Sequence, residues 1–147
     1  MIDNFEAQVR RQVARLQSRS YQAIEAEVTQ KRLAWLEQRR PKLDRPVSPR
    51  AAFELLFFDY MGLAPAELPV IHETDCRIIW LSRNPCPTLA ACRQLGLDTR
   101  QVCRAAFEQS TQAFLTYLDP QLRFWRSYEE IRPYAGHCRE MIERDLG

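Results

Sequence analysis

The chain has little glycine, four residues in 147, and no cluster of them. A loop that wraps phosphates needs several, so nucleotide-driven chemistry is not expected. There is no Gly-x-Ser-x-Gly elbow and no His-Glu-x-x-His pair, which argues against standard serine hydrolysis and against zincin chemistry. Lysine is scarce too: Lys31 and Lys42 stand alone among the basic residues, and the rest are arginine. With a net charge of +2 and no aromatic residues interleaved with basic ones on one evident face, no nucleic-acid partner is expected. No window approaches the roughly 18 apolar residues that span a bilayer, so no membrane partner is expected either. Residues 1 to 11 mix acids and arginines without an apolar run and do not read as a secretory signal.

Cysteine is present but lacks a framework. Five thiols are an odd number, and the two-residue spacing of zinc ribbons is missing. In a chain read without an export signal, reduced thiols are the expectation, and with them a cytoplasmic location. No metal site is assigned, and no cofactor is named by any motif.

What is present reads as one α+β domain over 1–147, with a helical arm over 1–40 and an α+β core over 48–147. Residues 2 to 40 contain neither Gly nor Pro. Ile2, Phe5, Val9, Val13, Leu16, Ile24, Val28, Leu33 and Leu36 recur at three- and four-residue steps, the pattern of a long amphipathic helix, or of one broken near Ser18 to Ser20. Its stripe can pack on its own domain. It can also pair with a second copy, because Ile2, Val9 and Leu16 are heptad-spaced, which makes a homodimer through 2–40 the open alternative.

Ser48-Pro49 is a helix start, and the apolar run from Ala51 to Met61 predicts a buried helix stopped by Gly62. The stretch 70 to 83 ends in Ile78-Ile79-Trp80-Leu81 and reads as one central strand buried on both faces. A short helix follows Cys86-Pro87 and ends at Gly96; a longer one opens at Asp98 and runs to Leu118. Leu122 to Tyr128 alternates as a strand, and Cys138 to Arg144 closes a hairpin with it. The expected architecture is therefore helices packed on a small antiparallel sheet.

Chemistry concentrates at few places. Cys86 falls at the cap of a helix, where free N–H groups and the helix dipole favour a thiolate. A nucleophile, a ligand and a small corner residue all fit it. Cys103 falls on the apolar face of the following helix, in step with Phe107 and Phe114, and taken alone reads as core. Cys138 follows His137, but neighbours on a strand point to opposite faces, so only one of them can face a given site. His72, in the polar run His72-Glu73-Thr74-Asp75, could do acid–base work or begin a solvated strand. Arg132 and Tyr134 flank Pro133; they could clamp a ligand carboxylate, or Arg132 could pair with Asp98 or Asp119.

The order strand, Cys86-Pro87, short helix to Leu95-Gly96, helix bearing Cys103, strand–turn–strand ending Gly136-His137-Cys138 resembles the small domain of 4-vinyl-reductase-type ligand-binding domains and L-2-amino-thiazoline-4-carboxylate hydrolase-like proteins. The likeness covers residues 70–144. It departs from them in having only His137 between Gly136 and Cys138. The resemblance implies that Cys86, Cys103 and Cys138 occupy the three cysteine places of the family, whose members include enzymes, sensors and assembly subunits. The function expected is binding of a small molecule in a thiol-lined pocket, with hydrolysis of a small sulfur- or nitrogen-containing carboxylate as its catalytic form. In that form Cys86, His137 and His72 are the catalytic candidates, and Arg132, Tyr134, Cys103 and Cys138 the ligand-binding ones. A cysteine-based metal or redox sensor and a non-enzymatic oligomerising module are the alternatives.

Overall fold

The computed structural model describes residues 4–145. Helices α1 (Phe5–Ser18) and α2 (Tyr21–Arg39) form the front of the chain. The break between them lies where the serines predicted it: Ser20 caps α2, its hydroxyl accepting from the Ala23 N–H at 3.1 Å. The apolar stripe is used within the chain in part: Ile24 and Leu36 are fully buried and Val9 nearly so, whereas Phe5 is exposed. Ile2, the first residue of the heptad reading, lies outside the described residues.

Ser48 caps α3 (Pro49–Phe53) as expected, accepting from Ala51 N–H at 3.1 Å. The helix then widens into a π-helical segment, Glu54–Tyr60, and ends before Gly62, which takes the left-handed φ of 72° that favours glycine. A second π-helical segment, Cys103–Phe107, separates α5 (Thr99–Val102) from α6 (Glu108–Leu118). Each π turn inserts an extra residue into the helical ladder and rotates the next turns of the helix about its axis. That rotation corrects the expected placement of Cys103, which is half-buried rather than sealed in the core with Phe114.

The stretch expected as one strand is a hairpin. Strand β1 (Val70–Thr74) turns at Asp75-Cys76 into β2 (Arg77–Ser82). The polar turn wins because the Cys76 N–H donates to Thr74 Oγ1 at 3.2 Å, a side-chain-to-backbone bond that competes with extension of the ladder. Cys76 thus sits in the turn and not inside a strand. After α4 (Pro87–Leu95), strands β3 (Leu122–Arg126) and β4 (Cys138–Arg144) complete a wholly antiparallel sheet of order β1-β2-β4-β3.

Strand β2 is central, but it is buried on one face only: Ile78, Trp80 and Ser82 are buried and alternate with more open residues. The covered face carries Ile78, Ile142 and Leu122 against α3, its π segment and α6. Trp80 lies between Phe53 and Phe57, with ring centroids 4.6 and 5.0 Å away. Such pairs add about 1 kcal/mol each beyond the area they bury. This cluster fixes the π segment to the sheet and so positions one wall of a thiol-bordered cavity. No helix among the described residues is long and apolar enough to cross a membrane.

Candidate functional site

Cys86 ends the loop that leaves β2, and Pro87 begins α4. The thiol is the helix cap: its sulfur accepts from the Leu89 N–H at 3.4 Å. The side chain borders a cavity of about 420 Å³ bounded by α1, α2, both π-helical segments, the start of α4 and the last residue of β3. That volume lies in the range of small-molecule sites. Its apolar wall comes from Leu56, Phe57 and Phe107. Its polar wall comes from Gln12, Tyr60, Thr88 and Thr111. Thr88 and Gln12 meet at 3.3 Å and tie α1 to the start of α4. Met61 and Lys31 are exposed and mark the mouth, whereas Leu56, Phe57, Thr88 and Thr111 are buried and form the floor. A hollow of about 510 Å³ beside Arg40, Lys42 and Tyr117 is lined largely by exposed side chains and holds no thiol.

Cations dominate the cavity. Arg15, Lys31, Arg32 and Arg126 line it, and among the described residues no acidic side chain does. Arg15 and Lys31 share Glu27 outside the cavity, each at 3.2 Å. Arg126 donates from Nε and Nη2 to Glu140 Oε2 at 3.1 and 2.9 Å. The other oxygen of Glu140 accepts from the Ser82 hydroxyl, which accepts in turn from Trp80 Nε1 at 3.1 Å. Burial opposes the Arg126 charge, but the attraction of Glu140 outweighs it and raises the Arg126 pKa. Among the described residues no carboxylate pairs with Arg32 in this way. Its Nη1 donates to Thr111 Oγ1 at 3.0 Å, and burial pulls its pKa down to about 10, with Arg126 adding repulsion and Tyr60 opposing the shift. It remains charged at neutral pH. Arg32 Nε and Arg126 Nη1 are buried without a hydrogen-bond partner.

Cys103 also borders the cavity. Burial pushes its thiol up to about 12, and the neighbouring Cys86, Cys138 and Cys92 add to the shift while Arg126 opposes it. Cys92, buried in α4, is pushed up to about 11 by burial and then by Cys86. Both are neutral thiols near pH 7. Cys138 does not reach the cavity wall: its sulfur accepts from the N–H and Nε of Arg132 at 3.5 and 3.4 Å. Cys86 and Cys138 each act on Cys103, but the three thiols form no ligand set: among the described residues no group of three or more His, Cys, Asp or Glu could hold a metal.

The remaining candidates stand apart from the cavity. Arg132 Nη1 donates to the Asn84 carbonyl at 2.5 Å, so it braces the loop before Cys86 and pairs with neither Asp98 nor Asp119. Tyr134 is exposed, donates to Asp98 Oδ1 at 3.1 Å and lies under the Arg100 guanidinium at 4.0 Å. His137 Nε2 lies 3.0 Å from Glu130 Oε2. His72 is exposed on edge strand β1, opposite Ile79. Neither histidine lines the cavity, so no imidazole faces Cys86 across it. The structure therefore brings together Cys86 and Cys103, and leaves His72, His137, Arg132, Tyr134 and Cys138 in other surroundings.

The cavity cations escaped the sequence reading, although their signal is legible. Arg32 interrupts a row of four-residue steps, Ile24, Val28, Arg32, Leu36, whose ends are fully buried. Arg126 continues the inward alternation of Leu122 and Phe124. A charge in phase with a buried face needs a partner or a task.

Comparison with family models, with curated proteins and with solved structures finds no match to this chain. None of these comparisons bears on the resemblance expected from the Cys86-Pro87, Cys103 and Gly136-His137-Cys138 motifs.

Proposed function

We propose that this chain is a small-molecule-binding α+β domain whose ligand occupies the cavity between the helical hairpin and the inner face of the sheet, with the Cys86 thiol in its wall. The observation that supports this is a hollow of about 420 Å³ that combines apolar and hydrogen-bonding side chains and is reached by an unbridged cysteine at a helix start. Binding is favoured over hydrolysis because a cysteine nucleophile needs a base within hydrogen-bond reach, and among the described residues the cavity offers neither imidazole nor carboxylate. A small sulfur- or nitrogen-containing carboxylate remains the class of ligand to which the resemblance points.

The test uses iodoacetamide as a probe of the wall. Protein alkylated at Cys86 and untreated protein are screened by ligand-observed magnetic resonance against one mixture of small neutral and acidic organic compounds. The expected result is a set of compounds that bind untreated protein and lose their signal once Cys86 carries the adduct. Identical binding profiles for the two forms would remove the cavity from the function.

A further inference from the structure

The cavity holds a charge imbalance: Thr111, the Tyr60 ring and the more distant Glu140 support the Arg32 guanidinium, but none of them forms an ion pair with it. Arg32 and Arg126 both border the cavity, and they repel each other. Glu140 compensates Arg126 at 2.9 Å, but no ion pair among the described residues includes Arg32. Each guanidinium also leaves one buried nitrogen without an acceptor. Removing a charge from water without a partner is costly, and an unpartnered buried donor adds to that cost. A purely structural site would be expected to contain either a second carboxylate or an apolar residue at position 32. The arginine is instead placed in the middle of an otherwise apolar helical row and directed at a hollow.

We propose that Arg32 and Arg126 form an anion-binding subsite that holds the negatively charged group of a small organic acid, with the ligand's apolar body against Leu56, Phe57 and Phe107. This rests on the reading that the cavity binds a small organic ligand. The charge selects the ligand class: Arg32 and Arg126 face the single carboxylate of Glu140, and Arg15 and Lys31 share Glu27, so an anionic group such as a carboxylate offsets cationic charge that these acids leave unmatched. The planar fork of arginine suits two-oxygen groups, and Thr111, already held by Arg32 at 3.0 Å, places a hydroxyl at the same end of the cavity. The ligand enters past Met61 and Lys31 and brings its charged end to the floor, while Cys86 lies along its flank. Neither of the residues that sequence reasoning selected for carboxylate recognition, Arg132 and Tyr134, lines this volume.

Two reagents of nearly equal size test the subsite, because they differ chiefly in charge: iodoacetate and its neutral counterpart iodoacetamide. The rate of each at Cys86 is measured by peptide mapping in the 147-residue chain and in a free peptide carrying residues 82–90. Differences in thiol reactivity cancel in the ratio of the two rates. The expected ratio in the protein exceeds that of the peptide by about tenfold, the scale of charge focusing in a cationic cleft. Arg32→Gln returns it to the peptide value. The double variant Arg126→Gln with Glu140→Gln, which leaves no buried carboxylate unpaired, also lowers it. Thermal unfolding without added anions is measured alongside, and Arg32→Gln is expected to be no less stable than the wild type. If iodoacetamide reacts readily but the ratio equals that of the peptide, or if Arg32→Gln leaves a raised ratio untouched, the anion subsite is overturned and the binding cavity stands. If neither reagent modifies Cys86 faster than the sealed Cys92, the cavity admits no ligand and both readings fall. A large loss of stability in Arg32→Gln makes Arg32 a structural residue and also overturns the subsite.

Discussion

Two neighbouring rows cross the covered face of the sheet, one step of the strand pleat apart. The first is Ile78, Ile142 and Phe124, hydrocarbon throughout. The second is Trp80, Glu140 and Arg126, in which an ion pair continues an indole. The same backbone and the same antiparallel ladder support both. In the first row every group is satisfied by contact alone, because apolar side chains only have to be packed. In the second, satisfaction must be built atom by atom through Ser82, Glu140 and Arg126, and it stops one donor short at Arg126 Nη1. The hydrocarbon row is where the fold is held. The charged row is where the structure stays open to something else.

The contrast can be broken at its strongest point first. Trp80 joins the charged row to the hydrocarbon core, packing on Phe53 and Phe57 while donating to Ser82. Trp80→Ala is expected to destabilise the protein by about 4 kcal/mol, measured by urea unfolding. A loss below about 1 kcal/mol, the level of an ordinary surface substitution, would mean that the aromatic cluster does not hold the sheet to its helices.

The charged row is next. Glu140→Gln strands Arg126 in a buried site and is expected to cost about 3 kcal/mol. Replacing both members of the pair with leucine is expected to recover most of that loss, since the pair's attraction offsets its desolvation only in part. If the double variant is as unstable as Glu140→Gln, the row is a structural ion pair and its resemblance to an unfinished site is misleading.

Alkaline unfolding sharpens the comparison between shielded thiols and open ones. Burial raises Cys103 to about 12 and Cys92 to about 11. A thiol raised in the folded state favours folding while it is protonated. Its contribution is complete below the unfolded value, about 8.5, and is lost as pH climbs through the folded value. Stability is therefore expected to fall between about pH 9 and 12. Cys92→Ala with Cys103→Ala should flatten that slope, as read from unfolding free energies at stepped pH. An unchanged slope would place both thiols in contact with water.

The smallest effect belongs to the surface. Arg50 clasps Glu73 of β1 through Nε and Nη2 at 2.7 and 2.6 Å, and the contact lowers the Glu73 pKa. Both side chains are well exposed, so Arg50→Ala is expected to cost about 0.5 kcal/mol in urea unfolding, less at high salt. A cost of several kcal/mol would show that this pair is shielded as the Glu140 pair is.

Much of the fold was legible in the sequence. The serine caps at Ser20 and Ser48, the stops at Gly62 and Gly96 and the strand alternation after Leu122 all act through bonds and dihedrals of a few adjacent residues. The β1–β2 turn escaped because Cys76 reads as an apolar strand residue, while its N–H bond to Thr74 outweighs that tendency. The candidate site was half legible. Cys86 at a helix start was visible in Cys-Pro, but the grouping of Cys86 with Arg32 and Arg126 depends on elements far apart along the chain. The π segments were illegible, because an extra residue in a helical turn leaves no compositional mark.

The order and type of most elements, their caps and stops, and which residues are in phase with a buried face were decided by the amino-acid sequence alone, because each depends on neighbours three or four positions away. Which cations meet, which thiols are shielded and which carboxylate is absent were decided only when the chain packed. Charge balance in a cavity is a sum over distant segments, and no local stretch of sequence contains that sum.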